Sequence, residues 1–134
     1  MTPPQARWET TDRWHRIFPG KREQVREARR FIRAHLPHHP DAELIASELV
    51  TNAVEHTRTG EPGGVFSALI RRRPDGTAYL EIEDQGGPAA FGLPTPDREG
   101  GWGLYLVAAL TTAWGVKGDA AGRTVWAELP PPAP

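Results

Sequence analysis

The sequence predicts an α+β fold: two layers, with a mixed, mostly antiparallel sheet carrying helices on one face. Three observations predict it. Strand-like and helix-like runs follow one another as strand, helix, helix, strand, strand, loop, helix, strand, strand. Pro74-Asp75-Gly76 is a tight turn between two of the strand-like runs, because Pro presets φ and Gly tolerates positive φ. The length, 134 residues, is that of one domain able to bury a core of its own.

The elements follow in order. Residues 5–18 carry spaced aromatic and β-branched residues, a strand signal, and Pro19-Gly20 breaks the chain after it. From Lys21 to Leu36, Val25, Ala28, Phe31, Ile32 and Leu36 recur at gaps of three and four and predict an amphipathic helix. Pro37 and Pro40 end it. Asp41 is placed to cap a second helix that runs to about Thr57. Residues 65–73 and 77–84 read as two strands. Residues 85–101 hold five Gly and three Pro, a long loop of the kind that usually serves function. A helix over 102–114 and strands over 114–119 and 122–130 close the domain, which spans residues 1–129. The Pro-rich tail, 130–134, is expected outside the fold.

Composition narrows the function classes. The chain has no cysteine, which excludes disulfides and thiolate metal sites and suits a reducing cytoplasm. No export signal and no apolar run of spanning length is visible, so no membrane partner is expected. The net charge of −1 argues against nucleic acid as a direct partner. The charge is uneven: residues 1–36 hold nine Lys or Arg against four Asp or Glu, and the remainder holds seven against thirteen. The basic first helix is either a solvated face or a docking face.

The second helix contains Glu48-Leu-Val-Thr-Asn52-Ala-Val-Glu-His56. Its apolar arc is Ala42, Ile45, Ala46, Leu49, Val50 and Ala53. Glu48 and Asn52 lie about 40° apart at the edge of that arc, where core meets cleft. A half-buried carboxylate there needs internal partners, water or a ligand. Asn is a poor ligand for the metals that favour His, but amide and carboxylate oxygens suit Mg²⁺, whose sites lean on phosphates. Two glycine clusters could receive phosphates or a base. Asp84-Gln85-Gly86-Gly87 follows a strand, and Gly100-Gly101-Trp102-Gly103-Leu104 opens a helix, where backbone N–H groups and the helix dipole favour anions.

In this order, Glu-x-x-x-Asn on a helix, Asp-x-Gly at a strand end and Gly-x-Gly-Leu opening a helix, the chain resembles the GHKL ATP-binding family. It is most similar to single-domain anti-sigma-factor serine kinases and their stand-alone ATP-binding relatives. "FPGKREQVREARRFI", "SELVTNAVEHT", "GWGLYLVAAL" and "GRTVWAEL" carry that resemblance over about residues 16–129. It implies ATP and Mg²⁺ as cofactors, with Asn52 as the Mg²⁺ ligand. It implies Glu48 as the general base and Asp84 as the carboxylate that reads the adenine amine. Gly86 would let the base approach, and Gly101, Gly103 and Leu104 would open the phosphate-facing helix. Thr124 would place a hydroxyl near Asp84. No catalytic role is carried onto His56. The implied activity is that of a serine/threonine-protein kinase. The implied partners are a sigma factor and its anti-anti-sigma antagonist, with a homodimer formed through the sheet. Pro88 stands where that family's first glycine box has its second glycine. Pro has no N–H and fixes φ, so a second reading is a nucleotide-dependent binding module without kinase activity.

Overall fold

The computed structural model describes residues 11–87 and 103–133, with the side chains of Gly103 and Leu104 left aside. The strands are β1 (Asp12–Pro19), β2 (Val65–Arg72), β3 (Ala78–Asp84), β4 (Ala113–Asp119) and β5 (Gly122–Leu129). The helices are α1 (Gln24–His35), α2 (Pro40–His56) and α3 (Gly103–Leu110), with a 3-10 turn at Arg58–Gly60. The sheet order is β1-β2-β3-β5-β4. The α+β fold is as expected, and within the mostly antiparallel sheet every ladder among the described residues is antiparallel. The connection from β3 through α3 crosses over β5 to reach the edge strand β4.

Alternation of side chains along each strand decides which face is covered. Phe66, Ala68 and Ile70 of β2, Leu80 and Ile82 of β3, and Val125, Ala127 and Leu129 of β5 are buried in one cluster. Ala28 and Ile32 of α1, Ile45, Leu49 and Val50 of α2, and Val107 of α3 join that cluster. All three helices therefore pack on one face. Phe18 stacks on its cross-strand partner Phe66 at 4.9 Å and meets Phe31 of α1 edge-on at 5.9 Å. His35 stacks on Trp14 at 4.6 Å, which fastens the end of α1 to β1. Glu43 of α2 receives hydrogen bonds from Arg29 and Arg33 of α1, tying the two helices at their solvent side.

Two boundaries differ from the sequence reading. Pro40 is the first residue of α2, and His39 precedes it without a side-chain cap; Asp41 lies in the first turn instead of capping it. Pro at that position loses nothing, because its missing N–H would have no helical partner. At the other end, α3 stops at Leu110 rather than running to 114. The N–H and the hydroxyl of Thr112 both donate to the Glu128 carbonyl, so the chain is captured by β5 and Trp114 belongs to β4. Pro131 and Pro132 of the C-terminal tail lie within 4 Å of the position a Cβ on Gly76 would take.

Two histidines titrate against burial. His39 is held below its usual value by burial, opposed by the carbonyls of Pro130 and Gly76 and aided by His38 and Arg72. Burial and Arg72 depress His35 in the same direction. A base whose folded value is depressed binds protons better when unfolded, so its stabilising contribution is present above the unfolded value of 6.5 and is lost as pH falls below it. Urea denaturation between about pH 7.5 and 5 is therefore expected to show falling stability, and His39→Gln should flatten that slope. An unchanged slope in the variant would exclude His39 as a source.

Candidate functional site

The C-terminal ends of α2 and β3 meet, and a network of backbone bonds fixes how they meet. The helix hands over to the turn at Thr57, whose hydroxyl donates to the Ala53 carbonyl at 2.6 Å and accepts from the Thr59 N–H at 3.0 Å. Thr59 is fully buried, and its hydroxyl accepts from the Gln85 N–H at 2.9 Å. The Arg58 N–H donates to the Gly86 carbonyl at 2.8 Å. The Gln85 side chain reaches back to accept from the Val65 N–H at 2.7 Å, closing the end of β2. The strand exit carrying Asp84, Gln85, Gly86 and Gly87 is thus bound to the 3-10 turn that follows α2.

Asp84 lies on the helix-covered face, because it shares the parity of Ala78, Leu80 and Ile82. It is 9% exposed. Its Oδ1 accepts from the Gly86 N–H at 2.6 Å. Burial pushes its carboxyl above the usual range, while the Gly86 N–H and nearby Arg123 pull it down and Glu83 pushes it up. Gly86 has φ +72, and a Cβ there would stand 2.3 Å from the Ala120 carbonyl oxygen of the β4–β5 turn. The glycine is required by the protein's own backbone, before any ligand is considered.

Asn52 and Glu48 stand one and two turns back along α2 from His56, about 6 and 12 Å by helical rise. Both are half-buried. Among the described residues, neither side chain has a hydrogen-bond or ion-pair partner. A carboxylate and an amide kept at the edge of a core without partners fit a ligand that brings a cation and polar oxygens. His56 ends α2, exposed, with Nε2 3.9 Å from a Glu55 carboxylate oxygen, and takes no part in the site. Gly103 opens α3, whose first N–H groups have no helical partners. Gly101 lies outside the described residues, as do Pro88 and the side chain of Leu104.

Thr124 does not join the site. It pairs with Glu83, not Asp84, and its hydroxyl is 3.4 Å from Glu83 on the face of the sheet opposite the helices. A shift of one residue along a strand reverses the face, and Arg123 is the residue paired with Asp84. Arg123 is 7% exposed and donates from Nη2 to the Gly87 carbonyl at 2.7 Å. The signal that finds it is the parity of Val125, Ala127 and Leu129, which puts position 123 on the apolar face.

Comparison with known proteins assigns the class of this domain. Residues 18–129 match the histidine kinase-like ATPase domain family, and the chain belongs to it. The family implies ATP binding. Among solved structures, the chain is similar to the crystal structure of the RsbU and RsbW domains of Rv1364c from Mycobacterium tuberculosis. That likeness has a TM-score of 0.66 at 21% identity and covers 91% of this chain and 34% of the other. The chain thus spans about a third of that protein's length. It is also similar to a chain of the SiaB–SiaC complex from Pseudomonas aeruginosa, with a TM-score of 0.61 at 15% identity, covering 93% and 94% of the two chains. At these identities the likeness is one of fold. No curated protein matches the sequence. No helix among the described residues is long and apolar enough to cross a membrane.

Gly86→Ala should cost at least about 2 kcal/mol, since it adds a positive-φ penalty to a backbone collision. Denaturant unfolding checks this; a loss under about 0.5 kcal/mol, the usual surface range, would show that the β4–β5 turn yields easily.

Proposed function

We propose that this chain is an ATP–Mg²⁺-binding regulator: an anti-sigma factor that phosphorylates a serine on an antagonist protein in the cytoplasm. The observation that carries the proposal is the pair Glu48 and Asn52, without partners among the described residues, on a helix whose following turn is bonded to the Asp84–Gly87 strand exit. The family match supports ATP as the nucleotide. That one similar structure comes from a complex of two proteins, SiaB and SiaC, supports a protein partner. The sequence resemblance to anti-sigma-factor serine kinases supports the partner classes.

In this reading Asp84 accepts a hydrogen bond from the exocyclic amine of adenine. The backbone around Gly86 lies beside the base, and the opening turn of α3 faces the phosphates. Asn52 would hold Mg²⁺ through its amide oxygen. When bound, the ion neutralises charge on the phosphate oxygens. Glu48 takes the proton from the seryl hydroxyl as that oxygen bonds to the terminal phosphorus. The bond from that phosphorus to the bridging oxygen breaks, and ADP leaves. The new phosphate gives the antagonist added negative charge and weakens its hold on this chain by repulsion from nearby carboxylates.

Calorimetry with ATP, with and without Mg²⁺, is the first test. Wild type is expected to bind in a Mg²⁺-dependent way, and Asn52→Ala to weaken that binding about tenfold or more, roughly 1.4 kcal/mol. Absence of binding in every condition would remove the proposal. Glu48→Ala should keep ATP affinity and lower phosphotransfer to the antagonist about 10²- to 10⁴-fold. Equal transfer by both proteins would rule Glu48 out as the base. Pro88 supports the alternative of a nucleotide-dependent binding module without kinase activity. Phosphoserine appearing on the partner in the presence of labelled ATP would refute that alternative.

A further inference from the structure

A buried arginine stands where the sequence led one to expect a small hydroxyl. Its position raises the question of what a guanidinium does beside the base-reading carboxylate. Arg123 and Asp84 are cross-strand partners on the helix-covered face, 7% and 9% exposed. The described hydrogen bond of Arg123 runs past Asp84 to the Gly87 carbonyl at 2.7 Å. One guanidinium therefore touches the exit of β3 and places a positive charge over its last residue. Burying that charge is costly unless something at the site uses it.

We infer that Arg123 is a positioning residue of the nucleotide site: its buried charge keeps Asp84 a carboxylate acceptor, and its N–H fixes the Gly87 carbonyl at the site's edge. The inference rests on the reading of Asp84 as the adenine-binding residue. Only the ionised form is an acceptor at both oxygens, and Oδ1 is already committed to the Gly86 N–H. A protonated Asp84 would offer an O–H where the amine of adenine also donates. Burial works toward that protonated form; the Gly86 N–H and, after it, the charge of Arg123 work against it.

The other charged groups on the surrounding elements have other tasks. Glu83, on the opposite face, pushes Asp84 toward protonation. Arg58 donates to the Ala120 carbonyl, and Asp119 accepts from the Ala121 N–H. Lys117 pairs with Glu81 on the far face at 3.2 Å. On α2, Glu48 lies two turns and His56 at the end of the helix, with His56 beside Glu55. The described length of α3 carries no charged residue. Arg123 is the cation paired across the strand with Asp84.

The test uses the full chain and three proteins: wild type, Arg123→Gln and Arg123→Lys. Gln keeps an N–H donor for Gly87 but loses the charge, and Lys keeps the charge. The carboxyl of Asp84 is titrated by carbon-13 NMR without nucleotide, and ATP–Mg²⁺ affinity is measured by calorimetry at about pH 8 and about pH 5.5. The Asp84 midpoint is expected to rise in Arg123→Gln and to return toward wild type in Arg123→Lys. The affinity of Arg123→Gln relative to wild type at the same pH should fall about threefold or more between the two conditions, and that of Arg123→Lys should not. An Asp84 midpoint that is the same in wild type and Arg123→Gln overturns the inference. So does a shifted midpoint with no change in the affinity ratio, which would leave Arg123 as a prop for Gly87 alone. If Arg123→Gln does not fold, wild type and Arg123→Lys decide: a wild-type Asp84 still protonated at neutral pH overturns the inference, and one ionised in both supports it. Wild type that binds no ATP at either pH overturns the proposed function itself, whatever Asp84 does.

Discussion

The arrangement of this domain depends on one buried hydroxyl. Thr59 sits in the turn after α2 with its side chain sealed from solvent, and the hydroxyl accepts the first N–H beyond β3. Around it the backbone closes tightly. A Cβ on Gly20 would stand 1.8 Å from the Thr59 carbonyl oxygen, and the Gly20 N–H donates to the Gly64 carbonyl across the same junction. Three chain segments, the end of β1, the exit of α2 and the entry to β2, thus converge on a single turn. A buried polar group satisfied in this way costs little and fixes geometry, whereas the same group without its partner would cost about 1–3 kcal/mol. The spacing between the polar edge of α2 and the exit of β3 follows from that junction.

What the junction holds in place is locally unfavourable. Asp84 is buried and pushed toward its neutral form, and Glu48 and Asn52 are half-buried without partners among the described residues. The core compensates: Ile45, Leu49, Val50, Ile82 and Val125 are all buried in one cluster. Binding sites commonly combine stable packing with polar groups that only a ligand completes. The same division appears within α2. One side of the helix supplies apolar contacts to the sheet, and the boundary of that side carries the chemistry.

Much of this was legible in the sequence because it depends on periodicity. The arc of α2 follows from the 3.6-residue repeat, which also puts Glu48 and Asn52 at its edge. Asp84 and Gly86 could be found because a strand pattern ends in glycines. The misreadings have equally definite causes. The helical reading runs on through residues 111–114 because nothing local shows that the Glu128 carbonyl, sixteen residues away from Thr112, captures the chain. The resemblance puts Thr124 beside Asp84, although the alternation of β5 puts position 123, not 124, on the apolar face.

Element types, apolar faces and the identity of the groups at the helix edge and strand exit are readable along the chain alone. Those are properties of near neighbours along the chain, and steric and hydrophobic periodicity encodes them locally. Tertiary structure alone decided that every strand pairs antiparallel, that β5 lies between β3 and β4, and that Arg123 rather than Thr124 faces Asp84 across the ladder. Pairing register and strand order are set by contacts between segments distant in sequence. A one-residue change in either exchanges the side chains that meet.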